Sequence, residues 1–114
     1  MRRLALTLLL FVLVSACGSK DKSLMPRRLL NEKEMTAILA DVQILEADIN
    51  YRKSKGENVE GVAKDYYRQL FEHYEITDSI FDQNLRYYTE QPAVLERIMD
   101  SVVQRLTMDQ SGKP

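Results

Sequence analysis

Two side chains stand out for their chemistry, the only thiol and the only imidazole of the chain, Cys17 and His73. Cys17 closes the run Val14-Ser15-Ala16-Cys17, directly behind an uncharged stretch from Leu4 to Val14. A thiol between small neighbours, at the end of an apolar run, is open to acyl transfer at a membrane surface. His73 could serve as a general base, but no nucleophile partners it in sequence. A zinc site asks for several His or Cys ligands, and a carboxylate di-metal site for paired Glu-x-x-His motifs. Neither pattern is present, and there is no Gly-rich phosphate loop and no Ser-His-Asp order. We therefore expect no metal, no cofactor and no enzymatic activity. His73 reads as a helix-end residue that bonds a last-turn carbonyl or packs as a neutral wall.

Arg2 and Arg3 precede the apolar run, which is 11 residues long. A basic start, a short apolar middle and small residues at a cleavage point make a secretory signal. A spanning helix needs about 20 apolar residues, so a permanent membrane helix is the poorer reading. Val14-Ser15-Ala16-Cys17 resembles the bacterial lipobox. That resemblance implies a diacylglyceryl group on the Cys17 sulfur, cleavage before Cys17, and often acylation of the new amine. Two or three acyl chains hold a protein stably on a bilayer, whereas one does not. Residues 1–16 are thus expected to be a lipoprotein signal peptide, and the membrane a partner through the lipid on Cys17. Gly18, rather than an Asp retention signal, points to the outer membrane with the domain facing the periplasm.

Cleavage would leave 98 residues, room for one domain. It would also remove two arginines, leaving 14 basic against 17 acidic residues, a formal charge of −3. Nucleic acid is a poor partner for such a chain, because phosphate binding needs clustered positive charge. With its single cysteine acylated the protein has no disulfide, and helix packing must stabilise it alone.

The elements follow in order. Cys17 to Pro26 is polar, small and charged up to Ser23 and reads as a flexible tether, with nine residues after the cysteine that reach about 30 Å at most. Lys20 and Lys22 flank Asp21, which favours a solvated linker over headgroup binding. The helical domain is expected over 27–110. Asn31-Glu32-Lys33-Glu34 has the form of a capping box, with Leu30 and Met35 placed as a hydrophobic staple. Met35, Ile38, Val42, Leu45 and Ile49, widened by Leu39 and Ile44, then form one helix face that ends near Lys53. A second helix spans Val59 or Gly61 to Tyr74, with Ala63, Tyr66, Tyr67, Leu70, Phe71 and Tyr74 on its apolar side. Thr77 caps a third, with Ile76 and Phe81 as its staple, and Thr89 ends it. Pro92 suits the first position of a fourth, whose stripe is Leu95, Ile98, Met99, Val102, Val103 and Leu106. Met108 to Pro114 reads as a frayed tail, with 111–114 disordered. No segment alternates with period two, so the fold class is all-α, a small bundle of four helices after the signal peptide.

Glu34, Asp41 and Asp48 recur at intervals of seven and form an acidic line beside the first apolar seam. A solvated flank is the preferred reading over a cation site, because no second ligand cluster joins them. The six tyrosines are many for this length. Their rings suit both bundle edges and partner surfaces, and half or more belong to the core. Tyr67, Tyr87 and Tyr88 are the candidates for an exposed partner contact. The short turn between the second and third helices also admits a helix-turn-helix, which the signal and the charge oppose.

The stretch from Tyr66 to Leu106, with the helix that starts near Asn31, resembles a family of envelope lipoproteins from Gram-negative bacteria. That family is catalogued as a domain of unknown function, number four-two-nine-six. The matching features are Tyr67, Leu70, Phe71, His73, Ile76-Thr77, Phe81, Leu85, Tyr87-Tyr88 with Pro92, Leu95 and Ile98, over about residues 26 to 107. The family has a Gly before the Ile-Thr pair, where this chain has Glu75, which implies a slightly different turn. The resemblance implies no activity. The expected role is a non-enzymatic, lipid-anchored interaction or accessory module with a protein partner in the envelope. The alternative is a carrier or chaperone-like protein that holds an apolar ligand or an unfolded chain between its helices, for which Met35, Met99 and Met108 are suited.

Overall fold

Asn31 opens the first helix as the sequence predicts. Its side chain accepts from the Glu34 N–H at 2.8 Å, and its own N–H donates to Glu34 Oε2 at 2.8 Å, so two otherwise orphaned donors are satisfied at once. The structure is a computed structural model that describes residues 25–110. The expected signal peptide 1–16, Cys17 with most of its tether, and the tail 111–114 lie outside the described residues. The described residues form four helices and no strand: α1 Glu32–Ser54, α2 Glu60–His73, α3 Asp78–Thr89 and α4 Pro92–Gln110. None is long and apolar enough to cross a membrane.

Each helix boundary has a local cause. Gly56, at φ 84, takes the left-handed position after α1, and the Gly56 and Glu57 N–H groups return to the carbonyls of Lys53 and Arg52. Val59 caps α2 without a side-chain bond, while the Asn58 side chain accepts from the Glu60 N–H at 3.2 Å. Thr77 Oγ1 accepts from the Ile80 N–H at 3.1 Å and starts α3. α4 runs to Gln110, so the tail expected from Met108 onward is still helical there.

Glu75 corrects a second expectation. It adopts φ 54, the left-handed conformation that glycine would favour, so the turn is the ordinary helix end and not a variant of it. The Ile76 N–H reaches Phe71 O at 2.9 Å and the Glu75 N–H reaches Glu72 O at 3.1 Å. The apolar contact of Ile76 and Phe71 with the core holds the residue in place despite its Cβ.

α1 is the axis of the molecule. Its first half lies beside α4, and the Glu32–Arg97 ion pair and the groove shared by Thr36, Ser101 and Arg105 make the two helices parallel. Its second half lies antiparallel to α2. α3 packs on α4. The core sits at the first half of α1, where Leu30, Met35, Ile38, Ile98 and Val102 are each under 2% exposed. Burying each such side chain contributes about 1.5–3 kcal/mol. Both staples are realised, since Leu30, Met35 and Ile76 are buried and Phe81 packs against them. Beyond Val42 only Ile49 of α1 is buried, and Leu70 is the only buried residue of α2. Ile44, Met99 and Val103, expected in core-facing stripes, are exposed, while Ile38, Ile98 and Val102 of the same helices are buried.

The approach to α1 is built into the fold. Pro26, placed by sequence in the tether, is buried. The fully buried Asn84 on α3 accepts from the Leu30 N–H and donates to the carbonyl oxygens of Arg28 and Ile80, all at 2.8 Å. The Arg27 N–H donates to Gln83 Oε1 at 3.0 Å, and Arg28 Nη1 donates to Glu75 O at 2.9 Å. Residues 26–30 are thereby strapped across α3, and every buried side-chain polar atom among the described residues is paired.

Candidate partner-binding surface

The second half of α1 and the facing part of α2 form an arm outside the main core. Three tyrosines, Tyr66 and Tyr67 of α2 and Tyr74 at its C-terminal cap, reach across it to three carboxylates of α1. Tyr66 donates to Asp48 Oδ2 at 2.6 Å, Tyr67 to Glu46 Oε1 and Tyr74 to Asp41 Oδ2. The spacing follows from antiparallel helices: Asp41 and Asp48 are two turns apart on α1, as Tyr74 and Tyr66 are along α2 and its cap. Two members of the acidic line are therefore half-buried acceptors rather than a solvated flank.

These bonds set the electrostatics. Burial, and then the Glu46 hydrogen bond, push the Tyr67 hydroxyl up to about 12. Burial, and then Asp41, push Tyr74 up to about 12. The hydrogen bond from Tyr66 and the one from Arg52 hold Asp48 below the usual carboxylate range. The Arg52 guanidinium also lies over the Tyr66 ring, 6.0 Å from its centroid.

Between the two helices runs a groove of about 460 Å³ with Ile44, Leu45 and Leu70 as its apolar floor. Asp41, Asp48, Tyr66, Gln69 and His73 form its polar border. His73 is exposed and meets Tyr74 edge-on, with ring centroids 4.9 Å apart. It rims the groove and faces a phenol ring, not a nucleophile. Among the described residues no group of three His, Cys, Asp or Glu is placed to hold a metal ion.

The three tyrosines chosen from sequence do not form one exposed patch. Tyr88 is 5% exposed, its hydroxyl donates to Leu30 O at 2.5 Å, and it belongs to the core. Tyr87 is half-buried, edge-on to Tyr88 at 5.1 Å. Tyr67 is half-buried on α2, 5.9 Å from Phe71, and borders a second groove of about 560 Å³ with Lys64 and Arg68. The exposed tyrosine is Tyr51, on the outer face of the arm. Asn84 is not among the residues picked from sequence, although a polar residue four positions after Ile80 and four before Tyr88, on an apolar face, is a visible signal. Cys17 lies outside the described residues.

Comparison with curated proteins and with solved structures gave no match. A family model described as "Domain of unknown function (DUF4296)" matches residues 26–111, from the buried Pro26 at the strap to the end of α4. That is about three quarters of the chain, and the chain belongs to this family.

Proposed function

We propose that this protein is a lipid-anchored envelope lipoprotein whose helical domain binds another envelope protein and performs no catalysis itself. The observation that carries the reading is the α1–α2 groove. It has an apolar floor, a polar border and an open face, the make-up of a surface for a partner's side chains. The sequence Val14-Ser15-Ala16-Cys17 supports the anchor. A carrier would enclose its ligand between its helices, whereas Met35, Ile38, Ile98 and Val102 pack the space between α1 and α4 and the α1–α2 groove is open on one face, which favours a partner surface. The proposal places the domain on the periplasmic face of the outer membrane.

Two measurements on the full chain test it. Metabolic labelling with a fatty-acid analogue should mark the wild type and not Cys17→Ser; equal labelling of both would remove the anchor. A photocrosslinking residue at Ile44 should give one recurrent protein adduct in intact envelopes, and one at exposed Lys33 should not. Identical adducts at both positions would end the binding reading. A lipid or peptide retained by the purified protein in native mass spectrometry would favour the carrier instead.

A further inference from the structure

We propose that the strap from Met25 to Leu29 is a contact surface for the anionic headgroups of the bilayer to which Cys17 is anchored. The inference rests on that anchoring. Met25 is 62% and Leu29 45% exposed, and the side chains of Arg27 and Arg28 are exposed between them. Two apolar side chains and two guanidinium groups on one short segment suit the boundary between headgroups and acyl chains.

The segment is held rigid by its own backbone. Arg27 bonds to Gln83 through its N–H, the Arg28 carbonyl and the Leu30 N–H both bond to Asn84, and Tyr88 takes the Leu30 carbonyl. These bonds fix the strap's main chain against α3 at Arg27 and Arg28 while the side chains of Met25, Arg27 and Leu29 stay exposed. Asp82, on the α3 helix that carries Gln83, is paired with Arg86 at 3.1 Å and so leaves the arginines of the strap dominant there. Arg28 Nη1 already donates to the Glu75 carbonyl at the α2–α3 turn, so Arg27 is the guanidinium that carries most of the headgroup attraction.

The chain length requires proximity. Met25 is eight residues after Cys17, a span of about 28 Å at full extension and less in a relaxed chain. The strap is the first described segment after Cys17 and lies within that reach of the anchor. Each arginine near an anionic surface strengthens attachment about fivefold at physiological salt. Docked in this way, the α1 axis starts at the membrane and carries the α1–α2 arm away from it.

The test uses the lipidated full chain, in which an acylated Cys17 leaves an introduced cysteine as the sole free thiol. A fluorophore is placed on Leu29→Cys or on Asn50→Cys, which lies about 27 Å farther along α1. Each protein is reconstituted into vesicles of phosphatidylglycerol with phosphatidylcholine, or of phosphatidylcholine alone, containing a headgroup nitroxide quencher. We expect quenching at Leu29→Cys several-fold above that at Asn50→Cys in the anionic vesicles. It should fall to the phosphatidylcholine level when Arg27→Glu is added, a substitution that spares the backbone bond of Arg27. Equal quenching at both positions, or no effect of Arg27→Glu in a chain with unchanged circular dichroism, would overturn the proposal. A wild-type chain that itself takes up the thiol label would overturn the anchoring, and the contact with it.

Discussion

The hydroxyl of Tyr88 donates to the main-chain oxygen of Leu30 at 2.5 Å across 58 positions of sequence. One residue before the α1 cap, that oxygen precedes the helix ladder, and Tyr88 supplies its partner in a buried setting. Tyr88→Phe keeps the ring and removes the donor. It should destabilise the protein by about 1–3 kcal/mol, the cost of an unsatisfied buried carbonyl. Asn84→Ala should cost more, because the Leu30 N–H and the Arg28 carbonyl lose their partner together. Urea midpoints of the three proteins check this; an Asn84→Ala midpoint at or above that of Tyr88→Phe would contradict it.

Glu75 stands at φ 54, where a Cβ crowds the neighbouring carbonyl. Glu75→Gly should therefore raise stability by about 1 kcal/mol, net of the extra freedom glycine has when unfolded. Thermal unfolding reads the change as a higher Tm. A lower one would mean that the Glu75 side chain contributes more than its strain costs.

The α1–α2 arm should weaken at high pH. In the unfolded chain phenols ionise at about 10. The folded protein holds Tyr67 and Tyr74 neutral up to about 12. Between these values the folded state binds the extra protons, so the stability the two phenols contribute is complete below pH 10 and is lost as pH rises toward 12. The double variant Tyr67→Phe, Tyr74→Phe should show a flatter alkaline arm of urea midpoint against pH. An unchanged slope would refute the assignment.

Asp48 has the opposite sign. Its carboxyl is held below the ordinary range, first by Tyr66 and then by Arg52, so its contribution is present above the unfolded value of 3.8 and fades as the solution is acidified below it. Asp48→Asn should reduce the loss of stability on acidification relative to wild type, measured by the same midpoints between neutral and acidic pH.

The arm should also open before the core. In the outer half of α1 and in α2, Ile49 and Leu70 are the buried apolar side chains. Local opening needs little apolar surface to be exposed, so amides over 44–69 should exchange on the order of tenfold faster than those over 35–41 and 95–102. Mass-spectrometric hydrogen exchange on the full chain measures this, and uniform protection along α1 would show that the arm is not a separate unit.

What the sequence by itself determined is local. The Asn31–Glu34 box, the Thr77 cap, the break before Pro92 and the period of the apolar residues involve neighbours within a turn or two, and short-range geometry dictates them. The tertiary structure decided what each face meets. The period of α1 marks a stripe, but only the placement of α4 and α2 separates buried Ile38 from exposed Ile44. Asp41 and Asp48 are legible as a line, yet their tyrosine donors lie 33 and 18 positions away and are chosen by the antiparallel packing of two helices. The same holds for Asn84 and Tyr88, whose partners come from a strap more than 50 residues earlier. A hydrogen bond at that separation depends on how the whole chain closes, and no local pattern carries that information.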